Sequence, residues 1–276
     1  MIFADLHIHS WFSSLGAFAN NDLLINRLGK LFPKQAFPEK DLFLGGRFSL
    51  FDGICQPEEI VRQAAEIGLK AISVTDHNSL LGTLSAKSFG KKYSLTVISG
   101  MEISTKDGEI LAYGIKKKIP ARLTVEETVD LIRRQGGVAV VAHPFGTRFK
   151  NPLFRRLSIG KIKEASFDGI EVANYFTGRI SNRFVKIAGT KKISLLGSSD
   201  AHDLSALGCA KTGFPDGCRS EQDFIEAIRK AQTVPVAGGI NWLKTAADLI
   251  WFNTFGRREA LQSFSGSVSS LAARKS

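Results

Sequence analysis

At 276 residues the chain has room for one large domain or two small ones, and an apolar content of 43% excludes wholesale disorder. No apolar run reaches the roughly 18 residues of a spanning helix, so no membrane partner is expected. The net charge of +11 favours polyanionic partners: nucleotides, nucleic acid or phosphate esters.

The opening "MIFADLHIHS" has neither a basic n-region nor a small-residue cleavage site, and it reads as a first core strand over 2–6 rather than a signal peptide. Residues 14–50 then form a long insertion carrying Phe18, Phe32, Phe37, Phe43 and Phe48 with Pro33, Pro38 and Gly45-Gly46. A connection of this length is as a rule functional or disordered. The phenylalanines need burial, which argues for a packed, cap-like segment. "PEEIVRQAAEIG" (57–68) predicts a helix, with Pro at its start, acids in its first turn and Gly past its end. Strands are predicted at 70–75, 95–99 and 109–115. "TVEETVDLIRRQGG" (124–137) is the next helix, with a Thr N-cap, early acids, late arginines and a Gly stop. Strands follow at 138–142, 168–173 and 193–198, then a helix in "SEQDFIEAIRKA" (220–231) and a strand at 233–237. "NWLKTAADLIWF" (241–252) has an amphipathic helical pattern, and 265–276 reads as a mobile tail.

Most of these strands are continuously apolar, as in a parallel sheet covered on both faces. The alternation of strand and helix predicts an α/β fold, and seven or eight such units predict a barrel. The expected organisation is a barrel over 1–240, with 14–50 inserted, and a C-terminal helix and tail over 241–276. Cys55, Cys209 and Cys218 form no CxxC pair, which argues against a disulfide framework and a cysteine zinc site and favours a reducing, cytoplasmic location.

His7 and His9 share one face of the first strand, because strand side chains alternate with period two. Every histidine of the chain (His7, His9, His77, His143 and His202) falls just past the C-terminal end of a predicted apolar strand. Glu102 ends the third strand and Asp200 the seventh. In an α/β barrel those ends converge on one rim, where active sites are built. Imidazole and carboxylate without thiolate suit zinc, iron or manganese, and there are more such groups than the four or so that one ion needs. A cluster of ions suits phosphoryl chemistry, which agrees with the basic excess. Asp5 and Asp76 are placed to hold histidine rings in one tautomer.

The motifs "DLHIHS", "TDHNS", "GMEIS", "AHP" and "SDAH", in this order over residues 5–202, resemble those of the PHP (polymerase and histidinol phosphatase) family. The resemblance implies a distorted (βα)7 barrel with a metal site at the C-terminal strand ends. It implies two or three divalent ions (Zn, Mn or Fe) and hydrolysis of phosphate esters, including terminal phosphodiesters of nucleic acid. By the same resemblance, His7, His9, Glu102 and Asp200 would hold a first ion. Glu102 would bridge to a second ion also held by His143, and His77 and His202 would hold a third. His7, His9, Glu102, His143 and Asp200 would form the catalytic core. The family's aspartate after the first strand has its counterpart in Asp52, where "FSLFDG" resumes the pattern after the insertion; the alternative is a plain Asp-Gly turn. The family's fourth-strand histidine is missing from "GEILAYGI", where Glu109 could substitute as a ligand. Glu171, in "GIEVAN", either faces the site or orients a nearby Lys or Arg.

Residues 147–163 carry six basic residues and no acid directly after His143. Arg148, with Arg179 and Arg183 further on, is a candidate for gripping phosphate through its planar guanidinium. The expected activity is hydrolysis of phosphate esters of nucleotides or of short RNA or DNA ends. The alternatives are a sugar- or amino-alcohol-phosphate phosphatase, a non-phosphate amidohydrolase, and a non-catalytic nucleic-acid-binding module.

Overall fold

Most strands arise from short apolar runs buried on both faces, with helices between them in the chain. A computed structural model describes residues 1–13, 53, 55–144, 157–174 and 180–238. The strands among them are β1 (Ile2–Ile8), β2 (Ala71–Val74), β3 (Thr96–Val97), β4 (Gly100–Ser104), β5 (Glu109–Tyr113), β6 (Val138–Val141), β7 (Gly169–Ala173), β8 (Ser194–Gly197), β9 (Ala210–Phe214) and β10 (Val234–Ala237). The helices are α1 (Pro57–Glu66), α2 (Leu81–Gly90), α3 (Val125–Arg134), α4 (Ile159–Glu164), α5 (Asn182–Lys191) and α6 (Glu221–Arg229). The insertion 14–50 and the C-terminal segment 241–276 lie outside the described residues. No described helix is long and apolar enough to cross a membrane.

The strands form two five-stranded sheets, ordered β10-β9-β1-β2-β3 and β4-β5-β6-β7-β8. The α/β class is as expected, but strand pairing among the described residues does not close one (βα)7 barrel. Nor is either sheet purely parallel: β9 runs antiparallel to β1 and β10, and β5 to β4 and β6. The reversed strands are β5, which turns back on both β4 and β6, and β9, which the apolar pattern does not reveal. β4 turns back into β5 through a tight loop in which Thr105 N–H donates to Gly108 O at 2.8 Å and Thr105 Oγ1 accepts from Gly108 N–H at 3.0 Å. Glu102 therefore sits in the middle of a strand rather than past the end of one.

Two single bridges tie the sheets together, Ile8 to Ala201 and His77 to Glu102. Backbone bonds reinforce both seams: His9 N–H to Ala201 O at 2.8 Å, Asp200 N–H to His7 O at 2.9 Å, and Asn78 N–H to Glu102 O at 2.7 Å. The seams bring together the polar strand ends of both sheets.

Apolar packing holds this arrangement on either side. Leu6, Leu111, Val140, Leu196 and Phe214 fill one fully buried cluster, and Ile103, Ile110, Ile132, Val141 and Ile170 another beneath α3 and its neighbours. Each such side chain contributes about 1.5–3 kcal/mol on burial. α3 starts at a capping box: Thr124 Oγ1 accepts from Glu127 N–H while the Glu127 carboxylate accepts from Thr124 N–H. α2 has Gly82 in its first turn because a Cβ there would collide with the Asp76 carboxylate.

Candidate metal centre

His7 and His9 leave β1 on the same face, and their Nε2 atoms lie 3.1 Å apart. Glu102 Oε2 lies 3.3 Å from each, and Asp200 Oδ1 is likewise 3.3 Å from each. Five of the six separations among these four atoms thus lie at 3.1–3.3 Å. A tetrahedral divalent ion with N and O ligands at its usual bond lengths needs edges of about 3.3 Å. The five edges match those of such an ion, and all four residues are buried.

Glu102 extends the cluster. Its Oε1 lies 3.0 Å from His143 Nε2, and its Oε2 lies 3.1 Å from His77 Nδ1. Glu109, reaching in from β5, puts Oε1 3.8 Å from His77 Nδ1 and Oε2 3.7 Å from His143 Nε2. Glu109 Oε2 is buried without a hydrogen-bond partner, and the buried Glu102 Oε2 meets three histidine nitrogens at 3.1–3.3 Å. Desolvated carboxylate oxygens of this kind cost several kcal/mol, on the order of a buried charge, unless a cation meets them. His9, Asp200 and His202 form a further group whose ligand atoms fall within 4.8 Å of one another. His202 Nδ1 lies 2.9 Å from Asp200 O, which favours the tautomer with the lone pair on Nε2. The rings of His77 and His202 both lie against that of His9, at 4.8 and 4.4 Å between centroids.

Two of these residues sit on left-handed backbone, His143 at φ 20° and Asp200 at φ 56°. Non-glycine residues hold such angles only where surrounding bonds impose them. Asp200 N–H donates to His7 O at 2.9 Å, and His143 N–H donates to Glu171 Oε2 at 2.7 Å. The other Glu171 oxygen, Oε1, lies 3.1 Å from His7 Nδ1. Ser13 Oγ lies 3.0 Å from His9 Nδ1 and accepts from His77 N–H at 3.1 Å.

The electrostatics suit a cation. Burial opposes the protonated form of His7, yet Asp200, Glu171 and Glu102 outweigh it and hold the ring well above the usual histidine range. Burial likewise works against His143, but its bond to Glu102 and the surrounding carboxylates push it up to about 9. Burial, and then the neighbouring Glu102 charge, push Glu109 up to about 7. Burial also opposes ionisation of Asp200, but His7 and the other histidines keep its carboxyl below the usual range. Protons on the histidines thus balance the carboxylates, and divalent ions can take their place.

The fold brings together His7, His9, His77, Glu102, Glu109, His143, Asp200 and His202. Asp52, Arg148 and Arg179 lie outside the described residues. Arg183 is exposed in the first turn of α5. Asp5 differs from the tautomer-holding role expected of it. Its carboxylate accepts backbone N–H groups of Ser199 and Gly208, both at 2.9 Å, and so clamps the loop that carries Asp200. Asp76 accepts Ser10 N–H at 2.6 Å and Ser10 Oγ–H at 2.8 Å, bracing the end of β1. Among the described residues, Glu171 serves His7 and His143. A carboxylate in the middle of the apolar run "GIEVA" was the signal for it.

The fold and this cluster define an α/β protein with a multi-histidine, multi-carboxylate centre of the kind that holds divalent ions. The PHP domain model matches residues 46–166, and the PHP-associated model matches residues 181–233. An uncharacterized protein of Methanocaldococcus jannaschii is 31% identical over 173 residues, covering 63% of this chain and 82% of the relative. The chain belongs to the PHP family. Among solved structures, a two-domain protein of Bacteroides vulgatus described as containing a PHP-like metal-dependent phosphoesterase aligns with a TM-score of 0.62 at 19% identity, over 86% of this chain and 65% of that one. The lesion-specific endonuclease EndoQ of Pyrococcus furiosus aligns with a TM-score of 0.50 at 15% identity, over 83% of this chain and 56% of that one. These two likenesses are of fold.

Proposed function

We propose that this protein is a metal-dependent phosphoesterase acting on phosphate esters of nucleotides or on nucleic-acid ends. The observation that carries the reading is the cage of His7, His9, Glu102 and Asp200, with Glu102 shared with a second group of His77, Glu109 and His143. The first four would hold one divalent ion and the second group another. His202, beside His9 and Asp200, with Asp52, would contribute to a third. Ions held there supply Lewis acidity toward phosphoryl oxygens and acidify a bound water toward neutral pH.

The chain's own residues do the positioning. Ser13 and Glu171 present Nε2 of His9 and His7 to the centre by occupying the opposite ring nitrogens. Asp5 and the strained Asp200 backbone hold the carboxylate that joins β8 to β1. Arg148, Arg179 and Arg183, after β6 and β7 in the sequence, are the candidates for orienting the phosphate, and the +11 charge favours a polyanionic substrate. The likeness to EndoQ, a lesion-specific endonuclease, accords with a nucleic-acid substrate. Three free cysteines accord with a reducing, cytoplasmic setting.

The test is elemental analysis of the purified full chain together with product release across mononucleotides, short oligonucleotides, damaged duplexes and sugar phosphates. Bound divalent ions with chelator-sensitive hydrolysis of nucleotide or nucleic-acid esters is the expected result. Salt-sensitive nucleic-acid binding without turnover would instead establish a non-catalytic module.

A further inference from the structure

Glu171 has no place among the metal-ligating groups, yet it is fully buried on β7 directly beneath them. Its two oxygens serve two different histidines. Oε1 lies 3.1 Å from His7 Nδ1, and Oε2 accepts His143 N–H at 2.7 Å. The first contact places a proton on His7 Nδ1 and leaves Nε2, the atom that faces His9, Glu102 and Asp200, as the nitrogen that can give up its proton to an ion. The second anchors the backbone of His143, which holds φ 20°. The two rings stack at 5.5 Å between centroids with 22° between their planes, so a shift in one is felt by the other.

We infer that Glu171 is a positioning residue that couples the two halves of the centre, setting the ring of His7 and the backbone of His143 with one carboxylate. This rests on the metal-dependent reading above. Both jobs need an acceptor, and only a carboxylate offers two. A glutamine in its place has one acceptor oxygen and one amide donor. If the oxygen stays on His143 N–H, the amide faces His7 Nδ1 and favours the tautomer that blocks Nε2. If the amide flips, it opposes His143 N–H, and the strained backbone loses its anchor. Glu171→Gln, nearly isosteric, therefore removes one of the two contacts whichever way it turns.

The test uses the full chain, stripped with a chelator and titrated with Co²⁺, whose visible absorption reports ligand geometry, and in parallel with Zn²⁺ against a competing chelator. Wild type, Glu171→Gln and Glu171→Ala are compared, each with its melting temperature. Glu171→Gln is expected to lose about 10- to 100-fold in ion affinity, with an altered Co²⁺ band. Glu171→Ala is expected to lose at least as much. Unchanged affinity and an unchanged band in folded Glu171→Gln would overturn the inference, leaving the metal centre standing. A lowered melting temperature with wild-type affinity and spectrum would also overturn it, reducing Glu171 to a structural role. Absence of ion binding by the wild type would overturn the inference together with the functional reading beneath it.

Discussion

His9 lies where the rings of the centre meet: its Nε2 is close to His7, Glu102 and Asp200, and its ring lies against those of His7, His77 and His202. Its replacement by alanine is expected to abolish ion binding at that cage and nearly all hydrolysis. Asp200→Ala should do the same, because Asp200 closes the cage from the opposite seam. Elemental analysis checks both: full occupancy in either variant removes that residue from the ligand set. Glu109 belongs to the second group alone. Its buried Oε2 faces His143 and lacks a hydrogen-bond partner. Glu109→Gln is therefore expected to lose one bound ion and keep another. Isothermal titration with Mn²⁺ should show one binding event fewer than wild type, and an identical stoichiometry would place Glu109 outside the ligands.

At the scale of elements, the short strand β4 is what sets the centre apart from a simple strand-end arrangement. It pairs with β5 in full register, Glu102 opposite Leu111 and Ser104 opposite Glu109, so both carboxylates ride on one hairpin. Glu102 then reaches the β2 end through its bridge to His77. The helices give the hairpin its backing, α3 chief among them, with Val125, Val129 and Ile132 buried against it. The cap of α3 supplies none of the clustered side chains, which allows a stability test. Thr124→Ala should cost about 1 kcal/mol of folding free energy while ion stoichiometry stays unchanged. Urea unfolding with and without metal measures both. A loss of stoichiometry in the folded variant would mean that α3 is coupled to the centre more tightly than its packing implies.

For the whole molecule, the centre lies across the seams that tie its two sheets, so its charge state bears on global stability. In the metal-free chain His143 is raised to about 9 from an ordinary value of 6.5. The folded state then binds more protons than the unfolded state between those values. Its contribution is fully present below about 6.5 and is lost as pH rises through about 9, and His7, also raised, acts in the same direction. With ions bound, the histidines must be deprotonated, so raising the pH over the same window strengthens binding and its stabilisation. The melting temperature of chelated protein should therefore fall from pH 6.5 to 9, while the gain on adding Zn²⁺ or Mn²⁺ grows. Parallel curves for the two forms would show that the cluster does not exchange protons for metal. The histidine positions, the apolar strands and the capped helices α1, α3 and α6 could be read from the sequence, because burial periodicity and end signals are local and the five histidines stand out by their placement. The motifs were enough to name the family. What only the tertiary structure decided was which groups meet. β4 (GMEIS) and β9 (AKTGF) mix glycine and polar residues with apolar ones and so show no apolar run of their own; neighbouring strands supply their hydrogen bonds. Asp5 reads from the sequence as a partner of a histidine ring, yet it clamps the backbone of Ser199 and Gly208, since its reach depends on how the loop after β8 returns. Glu171 could be seen as a carboxylate at a strand end, but its role depends on His7 and His143, which are 164 and 28 residues away in the chain. A local sequence carries no record of such distant contacts, which arise only when the folded sheets bring the end of β6 and β1 to β7.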